Sequence, residues 1–143
     1  MRLPHIRFVH PAPLPVGPRL ARGWRITVYE AAGAEARLGR RSAAVDAQLA
    51  LAGVRQGAFI GAWNPFSRAM PRRWNDRALA RLRRCARMRF TEGRGHAARP
   101  PWCEHHLLMF GDLRRIAVLA RRFRQHAILL VRSGAPSRLL VLR

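Results

Sequence analysis

The segment AFIGAWNPFSRAMP, residues 58–71, decides how this sequence is interpreted. It begins with an uninterrupted apolar run, which is typical of a strand buried on both faces of a sheet. The run stops at Asn64-Pro65, and a proline cannot donate a hydrogen bond to a strand ladder. Pro71 follows where helices favour proline, in the first turn. The segment therefore predicts a buried strand, a polar loop and the start of a helix over residues 72–88.

Predicted strands and helices alternate on both sides of this segment. Upstream, residues 24–31 and 35–40 predict a β-hairpin, and Ser42 is the expected N-cap of a helix over residues 43–52. The downstream pattern predicts a short strand at 88–93, a loop at 94–102, a strand at 105–111, a helix at 112–124 and strands at 126–132 and 138–143. This order predicts an α/β (α+β) fold, with a mixed β-sheet of about five to seven strands and three helices packed on it.

The 143 residues suit one compact domain. Because the N-terminal segment is rich in proline and arginine, we expect residues 1–22 to form an extended arm and residues 23–143 to form a single globular domain. The start of the chain does not resemble a signal peptide, and no apolar run is long enough to span a membrane. Cys85 and Cys103 have no CxxC partner, so we expect reduced thiols and a cytoplasmic location without membrane association.

Polar residues lie at the ends of three predicted strands. If strands 105–110 and 126–131 are parallel neighbours joined by one helix, both start at the same edge of the sheet. A strand at 57–63 that runs antiparallel to them ends at that edge. We therefore predict a small-ligand or catalytic cleft with Glu104 as general acid or base and Asn64 as the group that orients the ligand. The further ligand-binding candidates are Ser67, Gln125, Trp63 and Trp102. The alternative is that these side chains only satisfy backbone groups of turns and loops.

Arginine dominates the charge of the chain. The 28 basic residues are all arginines, and seven acidic residues leave a net charge of +21. Two predicted helices carry arginines at helical spacing: Arg73, Arg77, Arg81, Arg84, Arg114, Arg115, Arg121 and Arg122. Such faces bind phosphate backbones without sequence specificity, so a nucleic acid or another polyanion is the alternative partner. A GC-rich genome produces the same arginine-rich composition without functional pressure, and this explanation competes with it.

The run Cys103-Glu104-His105-His106 has the residue types of a metal site but not its spacing. Consecutive strand residues point to opposite faces, so at most Cys103 with His105, or Glu104 with His106, could share a metal ion. We therefore predict no metal site. The sequence contains no glycine-rich phosphate loop. Its residue patterns do not indicate a particular cofactor, substrate, reaction or oligomeric state.

Three blocks of the sequence, AFIGAWNPFSRAMPRRWN, WCEHHLLMFGD and LARRFRQHAILLV, resemble in this order a bacterial domain of unknown function, family 3293. The resemblance extends from about residue 24 to the C-terminus. The matching positions are Ile60 to Ser67, Asn75, Trp102, Glu104, Phe123, Gln125 and Ala127. The resemblance implies no known activity, but it adds Asn75 to the ligand-binding candidates. This chain departs from the family at Gly61, where threonine is usual, and at His105 and His106.

Overall fold

The computed structural model describes residues 15–99 and 101–142 of the chain. These residues contain seven strands and four α-helices. The helices are α1 (Pro18–Ile26), α2 (Ala43–Leu51), α3 (Arg72–Cys85) and α4 (Leu113–Arg122). The strands are β1 (Val28–Ala31), β2 (Ala34–Ala36), β3 (Gln56–Gly61), β4 (Phe90–Ala98), β5 (Pro101–Phe110), β6 (Ala127–Arg132) and β7 (Arg138–Val141). The predicted α+β class is confirmed, with one more helix than expected.

All seven strands form one sheet in the order β2-β1-β4-β5-β3-β6-β7. Every pairing is antiparallel, so the expectation of a mixed sheet is corrected. Strands β5 and β6 are also not neighbours, because β3 lies between them and pairs antiparallel with both. The two strands nevertheless run in the same direction. Their starts therefore lie at the edge of the sheet where β3 ends, as the cleft prediction required.

Helix α1 replaces the end of the predicted arm and the beginning of the predicted first strand. Pro18 occupies the first turn, where its missing N–H leaves no hydrogen bond unmade. Residues 19–26 contain no further proline, and residues 18–26 form a helix. The expected extended arm over 18–22 and the expected strand from residue 24 are therefore wrong. The hydroxyl of Thr27 donates to the Gly23 carbonyl at 2.6 Å where the helix ends. The expected arm over residues 1–14 lies outside the described residues.

The predicted loop at 94–102 is instead part of a long β4–β5 hairpin. Gly95 lies in the predicted loop and Gly93 at the end of the predicted strand at 88–93, but both pair with β5. A Cβ at Gly93 would overlap the Glu30 carbonyl oxygen of β1, so the strand needs glycine there because another backbone approaches closely. The hairpin carries Glu104 along the sheet to the end of β3.

Each face of the sheet carries its own apolar core. Helices α3 and α4 pack on one face through residues that include Leu79, Leu82 and Ile116. Helix α2 packs on the other face, where Leu49 contacts a cluster that includes Phe59. The Ser42 hydroxyl accepts from the Val45 N–H at 3.2 Å, which confirms the predicted N-cap of α2. No helix among the described residues is long and apolar enough to cross a membrane.

Candidate functional site

The loop after β3 is fixed by two asparagines. Asn64 has a left-handed backbone conformation, with φ of 47°, which asparagine tolerates better than most residues. Asn75, a buried residue of α3, accepts from the Asn64 N–H at 3.0 Å. The Asn75 amide also donates to Asn64 Oδ1 at 3.0 Å, and the Met70 N–H donates to the same oxygen at 3.0 Å. Together these bonds fix the orientation of the Asn64 side chain.

Asn64 presents its amide nitrogen to Glu104. The distance from Asn64 Nδ2 to Glu104 Oε1 is 2.7 Å, although the two residues are 40 positions apart in the chain. Burial raises the pKa of the Glu104 carboxyl, and the Asn64 hydrogen bond offsets part of this rise. Glu104 Oε2 accepts no hydrogen bond within the described parts of the chain. A carboxyl with a raised pKa and one free oxygen can accept or deliver a proton.

Gln125 joins the same edge from the start of β6. Its amide nitrogen donates to the carbonyls of Trp63 and Phe123, at 3.1 and 3.2 Å. These two bonds aim the amide oxygen toward Gly61, where a Cβ would stand 3.1 Å from Gln125 Oε1. Gln125 Oε1 has no donor among residues 15–99 and 101–142. Because Gly61 has no side chain, this acceptor stays open.

A cavity of about 620 Å³ connects these groups. Phe59 and Leu129 line it, and both belong to the apolar cluster on the α2 side of the sheet. Its other aromatic lining residues are Trp24 of α1, Tyr29 of β1, Trp63 and Trp102 of β5. Glu104, Asn64 and Gln125 also line the cavity. This is the size and composition of a small-molecule pocket, which is apolar with a few convergent polar groups.

Tyr29 and His106 also line the cavity, although neither was predicted from the sequence as a ligand-binding or catalytic residue. Their rings stack with centroids 5.9 Å apart. Burial lowers the pKa of His106 to about 3, so its imidazole is neutral at pH 7. Burial, and then the nearby charge of Glu104, raise the pKa of the Tyr29 hydroxyl above its usual value of 10.0. His106 was detectable, because it lies two positions after Glu104 and therefore on the same strand face.

Ser67 contacts His126, a third cavity residue that was not predicted from the sequence. Its hydroxyl lies 3.1 Å from Nδ1 of His126, the residue after Gln125. The Trp24 ring packs edge-on against the His126 ring, with centroids 5.4 Å apart. The buried Nε2 of His126 finds no hydrogen-bond partner in the described residues. Both Ser67 and His126 line the cavity, on the side covered by α1.

The structure brings six of the predicted residues to the cavity lining, with Asn75 behind Asn64: Asn64, Ser67, Glu104, Gln125, Trp63 and Trp102. The Trp63 carbonyl accepts from Gln125, but the Trp63 ring packs in the core with α3 and α4. That ring stacks on His105 at 5.2 Å, and the Arg72 guanidinium lies 4.9 Å from its centroid. The register of β5 therefore separates Glu104 and His106, on the cavity face, from Cys103 and His105.

The arginines selected from the two helices lie on the opposite face of the sheet from the cavity. Arg73, Arg77, Arg81, Arg84, Arg114, Arg115, Arg121 and Arg122 are all exposed. None of them takes part in the ion pairs of the described residues, which join Arg72 to Asp76, Arg83 to Glu92 and Arg94 to Glu30. Because α3 and α4 pack on the same core, these arginines share one side of the molecule.

Within residues 15–99 and 101–142, no three histidine, cysteine, aspartate or glutamate side chains converge in the way a metal ion requires. The groups that face the cavity are instead an acid, two carboxamides, a hydroxyl, a phenol and imidazoles. These groups can orient a ligand and move a proton.

Comparison with known proteins gives one match. Residues 60–128 match the family described as Protein of unknown function (DUF3293), which confirms the resemblance predicted from the sequence blocks. No curated protein and no solved structure matches the chain.

Proposed function

We propose that the segment matching this family, residues 60–128, builds a small-ligand or catalytic site in the cavity beside α1. The segment contains Asn64, Glu104 and Gln125, which all line the cavity. The observation that supports the proposal most strongly is the Asn64–Glu104 hydrogen bond of 2.7 Å, made inside a cavity of about 620 Å³. The loop after β3, helix α3 and strand β5 all contribute to this arrangement. A polar loop residue that only satisfies backbone groups of its own turn would not require side chains from two other segments.

Glu104 has the central role in this proposal. It acts as a general acid or base on the ligand, or as its main hydrogen-bond acceptor, while Asn64 holds one carboxylate oxygen in place. Asn75 acts as a positioning residue through Asn64. Gln125 supplies a second acceptor from β6, and Ser67 with His126 borders the cavity at its α1 side.

The Glu104→Gln variant tests the site. We expect a ligand found by screening a metabolite panel against the wild-type protein to raise its melting temperature, and the same ligand to have little effect on the variant. The amide keeps the shape of the side chain, so the melting temperature without ligand should change little. An affinity loss of roughly tenfold or more is the expected size for one charged hydrogen-bond acceptor.

The matched control is Glu35→Gln, because Glu35 is exposed on β2 away from the cavity. It should respond to the ligand as the wild-type protein does. If Glu104→Gln instead unfolds the protein while ligand binding per folded molecule is kept, Glu104 has a structural role and the proposal is wrong.

A second candidate function is non-specific binding of nucleic acid or another polyanion. The exposed arginines of α3 and α4 favour it, because they form one cationic side and are free of ion pairs within the described residues. Each phosphate that an arginine neutralises releases counterions, so affinity falls steeply as salt rises.

To test this candidate, binding of single-stranded RNA is measured across salt concentrations for two double variants. We expect Arg77→Gln/Arg81→Gln to make the slope of log affinity against log salt shallower by about one to two, since each lost phosphate contact reduces it by about 0.7. Arg40→Gln/Arg41→Gln removes the same charge from exposed positions just before α2. Equal slopes for the two variants would leave only a general effect of net charge and would exclude an interface on α3 and α4.

A further inference from the structure

The open polar atoms of the cavity include two hydrogen-bond acceptors. Glu104 Oε2 and Gln125 Oε1 have no donor among the described residues, whereas the Gln125 nitrogen is already used by the carbonyls of Trp63 and Phe123. Both residues line the cavity. A ligand that satisfies this part of the cavity must therefore bring N–H or O–H donors.

Within residues 15–99 and 101–142 no cation pairs with Glu104, although the chain contains 28 arginines. The ion pairs of the described residues involve Glu30, Asp76 and Glu92 but not Glu104. A carboxylate can accept two adjacent N–H donors in a bidentate arrangement. A protonated amine offers such donors, but a net charge of +21 repels cationic ligands. A neutral nitrogen heterocycle offers donors without this repulsion.

Aromatic residues contribute to the lining of the cavity. The indoles of Trp24 and Trp102 and the rings of Tyr29 and Phe59 line it, and each can stack on a heterocycle. The volume of about 620 Å³ accepts a ligand of nucleotide size. Because Gly61 carries no side chain, the floor between Gln125 and His106 stays open.

One cationic side chain contributes to the lining of the cavity. Arg19 of α1 lines the cavity and is exposed. Two further exposed arginines adjoin lining residues in the chain: Arg68 follows Ser67, and Arg124 precedes Gln125. The Arg124 carbonyl accepts from the Phe66 N–H at 2.7 Å, which ties these two loops together. Guanidinium groups bind phosphate.

We propose that the cavity binds a guanine-type heterocycle, with adjacent ring and amino N–H donors on Glu104, aromatic side chains beside the ring and a ligand phosphate at Arg19. This inference rests on the proposed function and names its ligand class. Adenine offers Glu104 one donor next to an acceptor and therefore makes one hydrogen bond fewer.

Calorimetric titration tests the inference with four probes: guanosine 5′-monophosphate, guanosine, adenosine 5′-monophosphate and ribose 5-phosphate. We expect guanosine 5′-monophosphate to bind most tightly, guanosine to bind more weakly and ribose 5-phosphate to show no measurable binding. Glu104→Gln should weaken guanosine 5′-monophosphate by about tenfold or more and adenosine 5′-monophosphate by less. Arg19→Gln should weaken the nucleotide but not the nucleoside. Glu35→Gln should bind as the wild-type protein does.

A guanine ring can come from a free nucleotide or from a base within a nucleic acid. Binding of an all-thymine oligonucleotide and of the same strand with one guanine distinguishes these two sources. Tighter binding than by an all-thymine strand, lost in Glu104→Gln, assigns the site to a base within a nucleic acid. Equal binding of the two strands, with guanosine 5′-monophosphate still bound, assigns it to a free nucleotide.

Ribose 5-phosphate binding as tightly as guanosine 5′-monophosphate, or nucleotide binding indifferent to Glu104→Gln, overturns the heterocycle inference. If nucleotides fail while another metabolite stabilises the wild-type protein and not Glu104→Gln, the inference is wrong and the proposed function stands. If no ligand distinguishes these two proteins, both are wrong.

Discussion

Gly93→Ala is expected to lower the free energy of unfolding by about 3 kcal/mol or more, because the new methyl group meets rigid backbone. The added Cβ would overlap the Glu30 carbonyl oxygen of β1. It would also stand 3.1 Å from both Ala31 Cβ and His106 Cδ2. Gly93 pairs with β1 on one side and β5 on the other, so neither neighbouring strand can move away without breaking its ladder.

Gly95→Ala is the matched control, since Gly95 lies two positions further along β4. There the nearest atom to the added Cβ is Thr27 Cγ2, at an ordinary contact distance of 3.4 Å. We expect its cost to stay within about 1 kcal/mol, and urea denaturation of both variants measures the difference. Equal losses in the two variants would show that β1 and β4 do not approach as closely as the structure has them.

His106 is expected to make the protein sensitive to acid. Burial lowers the pKa of His106 from 6.5 to about 3, whereas the unfolded chain keeps the ordinary value. The unfolded state therefore takes up this proton first as the pH falls. The contribution of His106 to the free energy of unfolding is therefore highest above pH 6.5, where His106 is neutral in both states, and it decreases as the pH falls toward 3. The total loss is up to about 5 kcal/mol, from 1.36 kcal/mol per pKa unit.

Comparison of the wild-type protein with His106→Phe isolates this contribution. The phenyl ring can keep the packing against Tyr29 and Phe59, and His106 Nε2 has no hydrogen-bond partner in the described residues to lose. We expect the wild-type protein to lose stability relative to the variant progressively from pH 6.5 to pH 3, by urea denaturation. Carboxylates that titrate in both proteins cancel in the difference. A constant difference across this range would mean that His106 is protonated as easily as in the unfolded chain.

The α+β class and the common edge of the strands were predictable from the sequence because they depend on patterns that extend over whole elements. The apolar run before Asn64-Pro65 marks a central strand, and one helix between β5 and β6 makes these strands run in the same direction. That direction brings Glu104 and Gln125 to the end of β3, even though β3 separates the two strands. The function of these side chains stays a prediction.

Other features depend on contacts between distant segments, which residue patterns do not show. Gly95 indicates a loop in isolation, although it pairs with β1 and β5. Gly93 ended the predicted strand, and only the approach of β1 explains why glycine is needed there. Helix α1 follows a proline-rich stretch, so local composition concealed the helix that brings Trp24 to the cavity. The same limit explains why Tyr29 and His126 were missed, since each contacts the cavity through neighbours far away in sequence.

The proposed function requires a cavity in which Asn64 orients Glu104 toward a small ligand. The most direct measurement is a calorimetric titration of the best ligand from the metabolite panel into the wild-type protein, Glu104→Gln and Glu35→Gln, with melting temperatures recorded beside it. We expect the ligand to bind the wild-type protein and Glu35→Gln equally well. Glu104→Gln should bind it at least roughly tenfold more weakly than the wild-type protein and melt at nearly the same temperature. Equal dissociation constants for all three proteins would contradict the proposed function.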